Sequence, residues 1–310
     1  GWRAADQSGL RFCQYADRPG LYLDRSAHCI ALMPMARGIV ESCIGLFRTL
    51  PSALVLLWAL AVLLAPMLGL SPNRVDLPQI LAAPSWSLPL GADDLGRPVL
   101  DRLLVGARTS FVVAVGVVVL SASIGALIGG IAGYAGGWLD LVIVRIIDVF
   151  LAFPGILLAI ALAGVLGPGI GNVIIALSVV GWVGYARLMR AQILSLATRE
   201  HVIAAHALGV RPARMLLRHL LPLAIAPLIV EATFGIAGAI LAEAGLSFLG
   251  LGVQPPAASW GSMIRDGVAY MLVSPHLVIA PGLAIMLVVL AINLLGDRLR
   301  DRLDVRHQRN

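Results

Sequence analysis

Long apolar runs, separated by short polar or glycine-rich segments, fill the chain from about residue 50 onward. Each run is close to the roughly 20 residues that a helix needs to cross a hydrocarbon core about 30 Å thick. The pattern therefore predicts an all-α polytopic membrane protein with about six transmembrane helices. The predicted spans are residues 52–70, 110–133, 139–166, 172–194, 223–249 and 277–296.

The composition leaves no room for a large soluble domain beside these spans. Hydrophobic residues make up 59% of the 310 residues and charged residues 13%, and the mean hydropathy is +0.91, far above that of a soluble domain. We expect a transmembrane domain at 46–298 and a cytoplasmic tail at 299–310. Residues 1–45 show no helical period, and we expect a cytoplasmic segment that is partly disordered or an extension.

The basic residues, all 23 of them arginine, orient the spans. Six precede the first span, six lie within 187–222 and five within 298–309. Because basic residues are enriched on the cytoplasmic side of a membrane, both termini and the loop 195–222 are predicted to be cytoplasmic. Segments 71–109 and 250–276 would then lie outside. The net charge of +6 is explained by this topology, so we expect no nucleic-acid partner.

Sites for chemistry are not evident in the sequence. A nucleotide-binding P-loop requires a lysine, and the chain has none. His201 and His206 are five residues apart, roughly 140° around a helix, which is not a metal-ligand spacing. We therefore predict no catalytic residue and no metal site in this chain.

Four carboxylates lie in or near the predicted spans, at Asp140, Asp148, Glu231 and Glu243. Intramembrane acids often form an ion or proton path, which keeps an ion-coupled secondary transporter open as an alternative. A milder interpretation is local pairing, since Arg145 and Asp148 can meet on one helix face. A membrane scaffold without transport activity is a further alternative.

Small residues recur every four positions along one face of the second predicted span. They are Ser121, Gly125, Gly129 and Gly133, and this pattern lets two helix backbones approach closely. We predict a helix contact here. Spacing alone does not say whether the neighbour belongs to this chain or to a second subunit.

The polar island at residues 200–222, between two long apolar runs, predicts two short helices. Residues 203–208 favour a helix, Gly209 can supply the left-handed turn that ends it, and Pro212 can open the next helix. Arg211, Arg214 and Arg218 form a basic stripe opposite Met215, Leu216 and Leu220. Either an interfacial helix at lipid headgroups or a docking surface for another protein would show this pattern.

The island resembles a known motif, which favours the docking interpretation. The pattern of two alanines, a glycine and His-Leu-Leu-Pro is similar to the EAA loop of binding-protein-dependent ABC importer permeases, although Ile203 stands where glutamate is frequent and Leu223 where asparagine is common. In that family the loop docks on the ATPase. The resemblance implies a coupling role for Ala204, Ala205, Gly209, Arg211, Arg214, Arg218, His219 and Pro222.

Three other stretches, at 91–108, 243–261 and 293–301, resemble one branch of that superfamily, the second ("C-type") permease of dipeptide, oligopeptide and nickel importers. The resemblance implies a type I importer permease fold. It also implies that the outer segments gate the pathway or contact the binding protein, through Asp93, Asp94, Arg97, Pro255, Pro256 and Trp260.

The same resemblance implies a multi-pass protein of the bacterial inner membrane that is not itself an enzyme. It would pair with a homologous permease, receive solute from an extracytoplasmic binding protein and be driven by two ATP-binding subunits, which hold the ATP and Mg²⁺. Peptides are the expected solute, with nickel or another solute as the alternative. Membrane lipid would surround the complex.

Overall fold

The computed structural model describes residues 49–304, so the predictions for residues 1–45 and for the end of the tail lie outside the described residues. Contacts divide the chain after Leu50, and the unit described below begins at Pro51. The regular secondary structure of the described residues is helical, apart from one isolated bridging pair at Ala92 and Pro98. The main helices, in chain order, are α1 Thr49–Leu64, α2 Val99–Ala135, α3 Gly137–Leu151, α4 Gly155–Leu166, α5 Ile170–Ala197, α6 Glu200–Ala207, α7 Pro212–Phe248, α8 Trp260–Val268 and α9 His276–Asp304.

Four of these helices, α2, α5, α7 and α9, are each long and apolar enough to cross a membrane. Helices α3 and α4 reach that criterion only as a pair, which is bent by 85°. Helix α1 is apolar but shorter than a full span. The described residues therefore contain four spans, or five if the bent pair counts as one, and the predicted count of about six is not confirmed.

The span predicted at 139–166 is not one continuous helix, because α3 ends at Leu151 and α4 begins at Gly155. Pro154 lies at the break with an extended backbone, φ −58° and ψ 119°. Proline lacks the N–H that would continue the helical ladder and disfavours helical geometry in the residue before it.

Two other helices begin earlier than predicted. Helix α2 starts at Val99, well before residue 110. Hydropathy did not predict its first turns because they are polar, although they are packed in the structure: Arg102 is only 4% exposed. Helix α7 starts at Pro212, so the second helix of the island is continuous with the fifth predicted span. A π-helical turn at Met215–Leu220 precedes Pro222, and this wider turn accommodates a residue that cannot donate a backbone hydrogen bond.

The small-residue face of α2 packs on α5 of the same chain. A Cβ atom built on Gly125 would lie 2.5 Å from the Trp182 carbonyl oxygen, and one built on Gly129 would overlap the Ala186 backbone. Gly133 meets the Arg190 backbone in the same way, and Ser121 lies against Gly181. The backbones of the two helices are therefore in direct contact, as the four-residue repeat predicts for a close helix pair.

Candidate functional site

Gly209 closes helix α6 with a complete left-handed cap. Its φ is +75°, a region that glycine enters without steric cost. The Gly209 N–H donates to the His206 carbonyl (3.0 Å) and the Val210 N–H donates to the Ala205 carbonyl (3.2 Å). These two bonds define a Schellman motif, so the direction in which the chain leaves α6 is fixed by the backbone.

A buried cluster holds the island against the spans. Met215 and Leu220 of α7 have no exposed surface, and neither have Met189 and Ile193 of α5. Val202 and Ala205 of α6 join the same cluster, with Leu216 packed at its edge. Burying large apolar side chains of this kind stabilises by about 1.5–3 kcal/mol each. The island is therefore attached to α5 and α7 by packing as well as by the chain.

The opposite face of the island is exposed and basic. Arg211, Arg214 and Arg218 are all exposed, and three large apolar side chains, Ile203, Leu208 and Leu217, are exposed by 57%, 85% and 61%. Of the other residues implied by the motif, Ala204 and Pro222 are exposed, His219 is half-buried and Ala205 is buried. Apolar side chains among arginines form a surface that can bind an acidic, partly apolar partner.

The segment between α1 and α2, which the sequence predicts to lie outside, is held together by buried ion pairs. Asp93 accepts a hydrogen bond from Arg97 Nε at 2.7 Å and lies 3.4 Å from Arg102 Nε. The second guanidinium nitrogen of Arg102 is 3.9 Å from Asp266, next to the end of α8. These groups are at most about a third exposed, so they connect the start of α2 with α8 where water screens weakly.

Trp260 begins α8 and packs inward. It is 2% exposed, its indole Nε1 donates to the Leu103 carbonyl at 3.0 Å, and its ring lies 6.3 Å from that of Trp58. Asp93 and Arg97 are also buried. These three side chains are therefore buried within the chain. Of the six outer residues named from the sequence, only Asp94, Pro255 and Pro256 have substantial exposure.

The four carboxylates of the spans have different surroundings. Asp140 forms a two-point ion pair with Arg190 of α5, with one contact of 2.7 Å. Asp148 pairs with Arg145 at 3.8 Å on an exposed face. Glu243 is fully buried and accepts hydrogen bonds from the hydroxyls of Ser110 and Ser247. Glu231 is exposed and lines two cavities.

Sequence reasoning missed the Asp140–Arg190 pair and the serines around Glu243. The partners are 50 and 133 residues apart for Arg190 and Ser110, so no local spacing connects them. The available signals were polarity within an apolar run and, for Ser247 only, its spacing of four residues from Glu243 on one helix.

The fold and these surfaces define a polytopic helical membrane protein that presents a structured basic surface at one end of its spans. The family model for the inner membrane component of binding-protein-dependent transport systems matches residues 125–309. The chain belongs to this family, and it is a multi-pass permease subunit of the inner membrane.

Curated relatives agree with this assignment. A peptide permease protein of Brucella ovis is 44% identical over 81% of this chain and 84% of its own length. The dipeptide transport system permease protein DppC of Alkalihalophilus pseudofirmus is 43% identical over 79% of this chain and 81% of its own length. The glutathione transport system permease protein GsiD of Escherichia coli is 46% identical over 75% of this chain and 77% of its own length.

Proposed function

We propose that this chain forms half of the translocation pathway of an ATP-driven importer for peptides. The names of the three relatives specify a peptide, a dipeptide or glutathione, itself a tripeptide, as the solute. Peptide is therefore the solute class that similarity favours. The other half of the pathway would come from a homologous permease, and an extracytoplasmic binding protein would deliver the solute.

The main structural support for this proposal is the exposed face of the island. It combines three arginines with three exposed apolar side chains, and it is attached through Met215 and Leu220 to two spans. Two ATP-binding subunits, which hold the ATP and Mg²⁺, would dock on this face in the complex. Both termini and this face would then be cytoplasmic, as the distribution of arginine predicts.

The packing of the island against α5 and α7 suggests how closure of the ATP-binding subunits would be transmitted to the spans. A partner that moves the island moves α6 and the start of α7 together, because the Schellman cap fixes the direction in which the chain leaves α6 and the buried cluster packs both helices against α5. Motion of packed helices as rigid bodies is a common form of conformational switching. The spans would alternate between inward-open and outward-open arrangements while the solute site stays between them.

The test is a pair of substitutions at Gly209 in the complete importer, reconstituted in liposomes with its copurified subunits. In Gly209→Val a β-branched side chain would have to adopt φ +75°, which is strongly unfavourable. Gly209→Asn is the matched control, since asparagine tolerates the left-handed region. No neighbouring atom lies within 4 Å of a Cβ built at this position, so the two variants differ mainly in backbone preference.

We expect Gly209→Val to insert into the membrane and to lose ATP-dependent peptide uptake, while Gly209→Asn retains most of it. Normal uptake by Gly209→Val would refute the coupling role. Uptake by the purified chain without any ATP-binding subunit would refute the ATP-driven mechanism and support the secondary transporter instead.

A further inference from the structure

A cavity among the helices α2, α4, α5 and α7 contains polar groups that the coupling mechanism does not use. Its volume is about 320 Å³, within the range of small-molecule sites. Most of its lining is small or apolar, and five glycines contribute to the wall: Gly155, Gly181, Gly184, Gly235 and Gly238. Three residues with polar side chains line it as well, namely Ser121, Tyr185 and Glu231.

Glu231 gives the cavity its charge. It is the one charged residue among the described residues that line the cavity, and it lies near the middle of the 37-residue helix α7. An ionised carboxylate facing lipid at that depth is costly, so such groups face protein or water-filled cavities. Glu231 also lines a second cavity of about 640 Å³, which extends toward Arg199 and Arg300. Glu231 therefore borders both cavities.

Two buried residues that line the same cavity have side-chain hydroxyls without a hydrogen-bond partner among the described residues. Tyr185 is 6% exposed and Ser121 is 1% exposed, and neither side-chain oxygen is bonded. Buried hydroxyls normally have partners, so an unpaired one indicates a bound molecule or water. Tyr185 and Ser121 come from different helices, α5 and α2, and thus reach the cavity from different walls.

Glycines make room for these hydroxyls. A Cβ atom built on Gly235 would overlap the Tyr185 hydroxyl, and one built on Gly181 would lie 2.7 Å from Ser121 Oγ. Gly235 is one helical turn from Glu231 on α7, so the hydroxyl and the carboxylate share one side of that helix. The small residues bring three oxygen-bearing side chains to one cavity.

We propose that Glu231, Tyr185 and Ser121 bind the amino-terminal ammonium group of the peptide during its passage. An ammonium group has three N–H donors and one positive charge. The carboxylate supplies the charge complement and an acceptor, and the two hydroxyl oxygens supply two further acceptors. The proposal rests on the proposed function, because it assumes that a peptide enters this cavity.

The first test measures occupancy directly and needs no ATP. The complete importer in detergent is treated with a membrane-soluble carbodiimide, and modification of each carboxylate is quantified by mass spectrometry. Alanyl-alanine is the probe, and its N-acetyl derivative, which lacks the ammonium group, is the matched control. Asp148, an exposed carboxylate on α3, is the internal reference, and Glu231→Gln gives the background.

We expect alanyl-alanine to lower the modification of Glu231 about fivefold at concentrations well above its Kd, with Asp148 unchanged. The acetylated peptide should protect neither carboxylate. Equal modification of Glu231 with and without alanyl-alanine would overturn the proposal, and so would equal protection by both peptides.

The second test measures uptake of alanyl-alanine by the reconstituted importer. Glu231→Gln should lower uptake about tenfold below saturation, which corresponds to the loss of one charge-assisted hydrogen bond, while assembly and ATP hydrolysis are retained. Glu231→Asp should recover part of the uptake, and Asp148→Asn should leave it unchanged. Unchanged uptake in Glu231→Gln would contradict the proposed role.

The two proposals can fail separately. A failure of ATP coupling would appear as normal uptake in Gly209→Val and would leave the protection of Glu231 unaffected. A failure of the ammonium site would appear as unprotected Glu231 in an importer that still loses uptake when Gly209 is replaced by valine.

Discussion

The contact between α2 and α5 predicts a large and position-specific effect of one added methyl group. In Gly129→Ala the new Cβ atom would lie 2.8 Å from the Ala186 carbonyl carbon and 2.9 Å from its Cα, and it would overlap the carbonyl oxygen. Carbon atoms in contact are normally about 3.5–4.0 Å apart. The neighbours are backbone atoms, which no rotamer change can move, so the two helices must separate by roughly 1 Å.

The cost follows from that geometry. Overpacking a close-packed site typically costs about 1–3 kcal/mol, whereas replacing glycine by alanine inside a helix returns up to about 1 kcal/mol through helix propensity. The matched control is Gly184→Ala, inside helix α5, where a Cβ atom would meet nothing within 4 Å. Both variants carry the propensity gain, so the difference between them, about 1–3 kcal/mol, measures the clash alone.

Thermal unfolding in mild detergent, followed by tryptophan fluorescence and by size-exclusion chromatography after heating, measures this difference. We expect the Tm of Gly129→Ala to lie below that of Gly184→Ala by several degrees, at about 2–4 °C per kcal/mol for a chain of this general size. Equal Tm values for the two variants would refute the direct backbone contact between α2 and α5.

Two further predictions concern the buried polar contacts. In a double-mutant cycle of Asp140→Asn and Arg190→Gln, we expect a coupling free energy of about 1–2 kcal/mol, because the pair is bidentate and at most about a third exposed; additive changes in Tm would contradict the pairing. Glu243→Leu should destabilise by about 2–4 kcal/mol, because it removes the acceptor of the Ser110 and Ser247 hydroxyls. The isosteric control Glu243→Gln should retain most of the stability in the same unfolding assay, and an equal loss in both variants would show that the hydrogen bonds are not the cause.

Local backbone conformation could be predicted from the sequence. Gly209 was assigned a left-handed turn because a helix-forming stretch precedes it and Pro212 follows it, and the structure has φ +75° at this position with both Schellman bonds. Such a cap depends on residues within a single turn. The small-residue face of α2 was readable for a similar reason, since residues four apart share one face of a helix.

Helix breaks could not be predicted from the sequence, because proline breaks a helix in some surroundings and is accommodated within it in others. Pro154 separates α3 from α4, whereas Pro227 lies inside α7 and Pro281 inside α9. All three prolines stand in apolar runs, so hydropathy does not distinguish them. A proline leaves one backbone carbonyl of the preceding turn without its helical hydrogen bond. Whether the helix continues depends on whether neighbouring helices supply a partner for that carbonyl.

Contacts between distant segments were also beyond a single sequence. The burial of Trp260 and of the Asp93–Arg97 pair depends on how α8 packs against the start of α2. The family resemblance implies that these residues gate the pathway or contact a binding protein, and it carries no information on their burial. Tertiary packing buries them, and their hydrogen bonds and ion pairs hold the segment between α1 and α2 together.

Helix α7 connects the features on which both proposals depend. It carries Arg214 and Arg218 on the exposed face at its start, Glu231 near its middle and the buried Glu243 near its end. The π-helical turn at Met215–Leu220 includes Arg218 of the basic face, and its two terminal residues are fully buried. A partner that shifts the exposed face must therefore displace a packed helix, and small shifts in packed cores propagate as discrete rearrangements. Because Glu231 is on that helix, the same displacement would move the proposed ammonium site together with the exposed face.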